Sequence, residues 1–133
     1  QIPRTNSFEN KEPLGKQRNN RKFEDDYLFD DSAIVYDGEN GMVIITGCSH
    51  SGICNIIKYS KSVIGKNKIK AVIGGFHMQN EEMNDITKRT IEYIEKQKIE
   101  TLYPCHCTNL FNKIALGEKV NVGEIGTGSK MEY

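Results

Sequence analysis

Three histidines, His50, His77 and His106, each stand just past a run that reads as a β-strand: 42–45, 69–73 and 100–103. Imidazole titrates near neutral pH and is also the commonest protein metal ligand. If those strands share one sheet through crossover connections, their carboxyl ends lie on one edge, where ligands bind in such sheets. Cys48 stands beside the first histidine, and Cys105 and Cys107 bracket the last. Any one of the three His could equally be a half-buried structural residue. Their common place at strand ends is what makes a metal or acid–base cluster the better reading.

The cysteines divide by setting. Cys54 falls inside a helical stretch and reads as a small buried hydrophobe. Cys48 sits in a turn between small polar residues and Gly, outside any run of core residues. Cys105 and Cys107 should point away from His106 if the backbone there is extended, which speaks against all three binding one ion. The spacings C-x5-C and C-x-C do not match a structural zinc finger. With no export signal at the start of the chain, reduced thiols in a cytoplasmic protein are expected. A hydrolytic metal centre needs His nitrogens and carboxylates around an open position for water. Three His and one Cys could hold one metal loosely, and an H-x-H-x-D-H cluster for a second is absent.

The elements that must position these residues follow from periodicity and turn chemistry. Residues 1–31 are polar, carry Pro3 and Pro13, and read as an irregular leader. Ala33–Tyr36 is a short strand, 37–41 a hairpin turn with two Gly, and Met42–Ile45 a strand apolar enough to be covered on both faces. A helix is expected from Ile53 to Ser60 and a strand at 69–73. A longer helix is expected from Asn80 to about residue 97, with Asn80 as cap, Glu81 and Glu82 in its first turn, and Met83, Ile86, Thr90, Ile91 and Ile94 on one face. Glu100–Tyr103 reads as the next strand and Asn109–Leu116 as a short helix that Gly117 can cap. Val120–Val122 and Lys130–Tyr133 are candidate edge strands. This strand–helix alternation is an α/β arrangement, one mixed sheet with crossover helices.

The 133 residues balance 18 Lys and Arg against 18 Asp and Glu, so no net field draws the chain to nucleic acid or to an anionic membrane. The Lys16–Lys22 basic run reads as a solvated loop. No apolar run is long enough to span a bilayer. A first residue other than Met suggests a fragment or a processed product.

Residues 46–53, with Asn55, then Ala71-Val72-Ile73-Gly74-Gly75-Phe76-His77, then Pro104-Cys105-His106-Cys107-Thr108, resemble successive C-terminal motifs of one branch of the metallo-β-lactamase-fold enzymes. That branch includes proteins like the 7,8-dihydropterin-6-methyl-4-(β-D-ribofuranosyl)aminobenzene-5′-phosphate synthases. Residues 2–9, Asp30-Asp31 and residues 126–133 resemble its central and terminal segments, so the likeness runs over nearly the whole chain. The resemblance implies the C-terminal half of an αβ/βα sandwich spanning 32–133, with 1–31 as the family's central segment. It implies metal ligands among Cys48, His50 and His106, with Cys48 in the place of the fold's bridging Asp. His77 resembles either a residue that supports the metal ligands from behind or a catalytic proton-transfer residue. Asn109 departs from the Gly that relatives more often carry there.

The function implied is part of a metal-dependent hydrolase or transferase acting on a phosphorylated or pterin-like small molecule. Its cofactor would be a divalent metal, zinc first, with manganese or iron as alternatives. Its partner would be the missing N-terminal half or a second copy, with no nucleic acid and no membrane. The competing reading is a non-catalytic metal-binding or interaction module, half of a split protein.

Overall fold

The computed structural model describes residues 1–9 and 12–133. Two sheets are formed: a small hairpin of β1 (Gly15–Asn19) and β2 (Lys22–Asp26), and a four-stranded sheet in the order β3-β4-β5-β6. In the larger sheet β3 (Ala33–Gly38) runs antiparallel to β4 (Gly41–Thr46), while β5 (Ile69–Gly74) and β6 (Thr101–Pro104) continue parallel to β4. The helices α1 (Ile53–Ile64) and α2 (Asp85–Gln97) connect β4 to β5 and β5 to β6, and α3 (Leu110–Gly117) follows β6. Both crossovers step in the same direction across the sheet. With the usual handedness this puts α1 and α2 on one face, and Lys61 of α1 donates to Gln97 of α2 at 2.7 Å.

Strand alternation sorts the side chains between two faces. Ile44, Val72 and Leu102 stand in one row across β4, β5 and β6 and are buried with Ile56, Ile57, Ile91 and Ile94 of the helices. The adjacent row, Ile34, Ile45, Ile73 and Tyr103, crosses all four strands on the opposite face. There Ile34 is 69% and Ile45 42% exposed. The coverage of β4 on both faces expected from its apolar run is therefore only partial: Val43 is buried and Ile45 is open.

Three further expectations are corrected. The leader is not wholly irregular, since it carries the β1–β2 hairpin; positions 10 and 11 lie outside the described residues. Its turn is Asn20–Arg21, both at positive φ, and its nine outermost strand positions are exposed, so no burial period marks it in the sequence. The long helix begins later than Asn80. Asn84 is its cap, accepting from the Thr87 amide at 2.9 Å, with Asp85 in the first turn. Asn80 instead bonds the Glu82 carbonyl and the Thr87 hydroxyl, and Met83 and Ile86 are exposed rather than on the packed face. In the tail, Val122 makes a single parallel bridge to Leu102, and 130–133 form no strand. Among the described residues no helix is long and apolar enough to cross a membrane.

Candidate functional site

The carboxyl ends of β4, β5 and β6 open into three loops that are tied to one another. The Gly75 amide donates to the Gly47 carbonyl at 2.8 Å, and the Ser49 hydroxyl donates to the Gly75 carbonyl at 2.6 Å. On the other side, the Phe76 amide donates to the Thr108 hydroxyl at 3.0 Å and the Cys105 amide to the Gly74 carbonyl at 2.9 Å. Ser49, His77 and His106, one residue in each loop, all adopt positive φ. For residues other than Gly such backbone is uncommon, costs free energy and gathers at functional sites.

These loops, with the segment before β3, assemble a small polar group. The rings of His50 and His77 meet edge to face, with centroids 4.9 Å apart. Asp31 Oδ1 lies 4.0 Å from His50 Nδ1, and the other Asp31 oxygen accepts from the Ser51 amide at 2.9 Å and from the Ser51 hydroxyl. Asp31, Cys48 and His50 line a shallow pocket of about 280 Å³. His77 Nδ1 is buried without a hydrogen-bond partner, which in a protein interior costs about 1–3 kcal/mol and calls for an explanation. Burial pushes the His77 pKa below its ordinary value; the neighbouring His50 pushes the same way, and Asp31 opposes both.

A second carboxylate supports the first loop from behind. Glu9 is buried, and its two oxygens accept the Cys54 and Asn55 amides at 2.8 and 3.0 Å, the donors left open where α1 begins. Gly52, at φ 95, supplies no side-chain cap, and a Cβ there would fall 2.1 Å from Glu9 Oε2. Asn55 returns the connection, its Oδ1 accepting from the amides of Thr5 and Asn6 and its Nδ2 donating to the Ser51 carbonyl. The segment at 2–9 is thus locked to the loop that carries His50. Burial is the main influence on the Glu9 carboxyl and raises its pKa, although its hydrogen bonds pull the other way.

Of the expected site residues, the fold brings His50 and His77 together and sets Cys48 beside them. His106 is exposed in the neighbouring loop, and no hydrogen bond, ion pair or ring contact joins it to the other two. Cys107 points inward: its thiol contacts the Cys48 carbonyl at 3.5 Å and accepts from the His77 amide at 3.3 Å. Burial pushes the Cys107 thiol up to about 11 and pushes the Cys54 thiol, buried at the start of α1, up as well. Asp31 entered the sequence reading only as part of the family resemblance, not as a site residue. Its signal was nonetheless present, because an antiparallel β3–β4 hairpin sets the start of β3 beside the end of β4. Among the described residues no group of three or more His, Cys, Asp or Glu side chains is placed to hold a metal ion. Cys48, His50 and His106 are not gathered into such a group among the described residues.

No protein-family model matches the chain. A crystal structure of Tm1679, a metal-dependent hydrolase of the beta-lactamase superfamily, superposes with a TM-score of 0.79 at 30% identity, over 96% of this chain and 50% of that one. The chain has a metallo-β-lactamase fold. It is similar to a 7,8-dihydropterin-6-methyl-4-(β-D-ribofuranosyl)-aminobenzene-5′-phosphate synthase of Methanocaldococcus jannaschii, being 36% identical over 104 residues, 77% of this chain and 35% of the synthase. A second, uncharacterized protein of the same organism is 37% identical over 62% of this chain and 29% of its own length. The chain thus spans about a third of the curated relatives it matches and half of the solved neighbour. Its mixed α/β sheet with helices on one face is one half of a metallo-β-lactamase sandwich, and its relatives include enzymes.

Proposed function

We propose that this chain supplies part of the active site of a metallo-β-lactamase-superfamily hydrolase or transferase acting on a phosphorylated or pterin-like small molecule. The observation that supports it most is the Asp31–His50–His77 group at the strand-end edge, with a buried unpartnered nitrogen on His77. In this reading Asp31 orients the His50 imidazole, which presents a nitrogen to the pocket. His77, kept neutral by burial, accepts a proton from a reacting group or water and can return it. The substrate class rests on the synthase relative and its named 5′-phosphate product, since one fold hosts many chemistries.

A divalent metal, zinc first, belongs to the same proposal, but the donors of this chain do not complete a site for it. Ligands from outside these residues, as from an H-x-H-x-D-H half, would have to join His50, His106 or Cys48. The exposed Ile34 and Ile45 favour a second reading in which the chain is a non-catalytic interaction module. Calorimetric titration of the chain with Zn²⁺ and Mn²⁺ tests the first reading. Weak binding that His50→Ala abolishes is expected, along with no turnover of a phosphodiester. Tight uptake of two ions by this chain alone would overturn the claim that the site is partial.

A further inference from the structure

All four cysteines carry free thiols, and two of them meet across Gly75. A Cβ at Gly75 would lie 2.5 Å from Cys107 Sγ and 3.3 Å from Cys48 Cα. Gly75 therefore leaves open the space in which the Cys107 sulfur rests against the Cys48 backbone, 3.5 Å from its carbonyl oxygen. The two residues are 59 positions apart and approach because β4 and β6 flank β5 at the same sheet edge. A disulfide needs Cα atoms roughly 4.4–6.8 Å apart and sulfurs turned toward each other. The Cys107 sulfur already rests against the Cys48 backbone, and closing the bond requires the Cys48 side chain to turn toward it. Cys48 is half-buried and reachable by solutes, whereas Cys107 is buried behind it. That is the arrangement of an attacking and a resolving thiol.

We propose that Cys48 and Cys107 are a reversible disulfide site, closed by exchange with a small disulfide of the glutathione class. In the first step the Cys48 thiolate attacks one sulfur of glutathione disulfide, forms a mixed disulfide and releases one glutathione, which takes up a proton. The Cys107 sulfur, losing its proton to solvent, then attacks the Cys48 sulfur and expels the second glutathione. Two protein thiols are oxidised to one disulfide and one glutathione disulfide is reduced to two thiols, so electrons and protons balance. Cys54 is buried at the start of α1, and the Cys105→Ser variant reads out any competition from Cys105. The bond would clamp the loop after β4 to the loop after β6 and, under the proposed function, withdraw Cys48 from any metal. The sulfur chemistry itself stands whether or not a metal binds.

Mass-spectrometric mapping of the whole chain after incubation with glutathione disulfide and acid quenching provides the test. Loss of two of the four thiols, a single Cys48–Cys107 linkage and its reversal by dithiothreitol are expected. Cys107→Ser should stop at one glutathione adduct on Cys48, and Cys105→Ser should leave the Cys48–Cys107 bond intact. A bond that maps to Cys105, four thiols persisting under oxidation, or no adduct on the Cys107→Ser chain overturns the proposal. Cys54, 1% exposed, reports on folding in the same samples, and its labelling in native buffer would also count against the proposal. Failure of the metal reading would show in calorimetry and leave this map unchanged.

Discussion

His77 concentrates the electrostatics of the candidate site. Its pKa in the folded chain lies below the ordinary 6.5, so the folded state resists its protonation. The stability it contributes is whole above about pH 6.5 and is lost as pH falls through the lower folded value. Denaturation midpoints should therefore drop as pH falls below about 6.5, and His77→Asn, which tolerates the same positive φ, should flatten that part of the curve. Glu9 has the opposite sign. Its carboxyl pKa is raised above 4.5, so its contribution is whole below that pH and lost as pH rises through the folded value. Removing the carboxylate still strands two buried helix donors, and Glu9→Ala should cost about 1–3 kcal/mol in chemical denaturation, with Glu9→Gln costing less. An unchanged midpoint for Glu9→Ala would mean that water replaces the carboxylate at no cost.

The elements carry the site through their ends. Each histidine was legible as a strand-end residue because β4, β5 and β6 are short apolar runs closed by Gly or Pro. The start of α2 was less legible, since Asn80 and Asn84 are both plausible caps with acidic residues after them. Tertiary structure chose Asn84, and Asn80 is spent on the Glu82 carbonyl and the Thr87 hydroxyl. Asn84→Ala should then destabilise the chain by about 1 kcal/mol through the lost cap. Gly75 is confined for a different reason, the Cys107 sulfur against it. Gly75→Ala should cost about 1–3 kcal/mol as overpacking, measured as a shift of the denaturation midpoint at constant slope.

At the scale of the whole molecule, the helices cover one face of the sheet and the Ile34–Ile45–Ile73–Tyr103 row lies on the other. A sandwich buries such a face against a second sheet. Leaving a few hundred Å² of it in water forfeits on the order of 10 kcal/mol at roughly 25 cal/mol per Å², comparable to the stability of a typical domain. Sedimentation of the isolated chain should show self-association, and Ile34→Lys with Ile45→Lys should shift it toward monomer. A soluble monomer with a sharp two-state transition would show that this face needs no partner.

Local pattern determined the order of the main strands and helices, the α/β class and the placing of His50, His77 and His106 at one edge. Those features depend on periods of a few residues and on residues that break them. The β1–β2 hairpin escaped because its strands are exposed and bury no face that could print an alternation on the sequence. What the group contains was decided by contacts between residues far apart in the chain. Asp31 reaches His50 and Ser51 through the β3–β4 register, Glu9 reaches the start of α1 from 45 positions away, and Cys107 reaches Cys48 across Gly75. His106, equal to the others as a strand-end histidine, was left exposed and unjoined to them. Spacing along the chain determines which edge a residue reaches, while the direction its side chain takes there depends on backbone geometry and packing that only the folded structure sets.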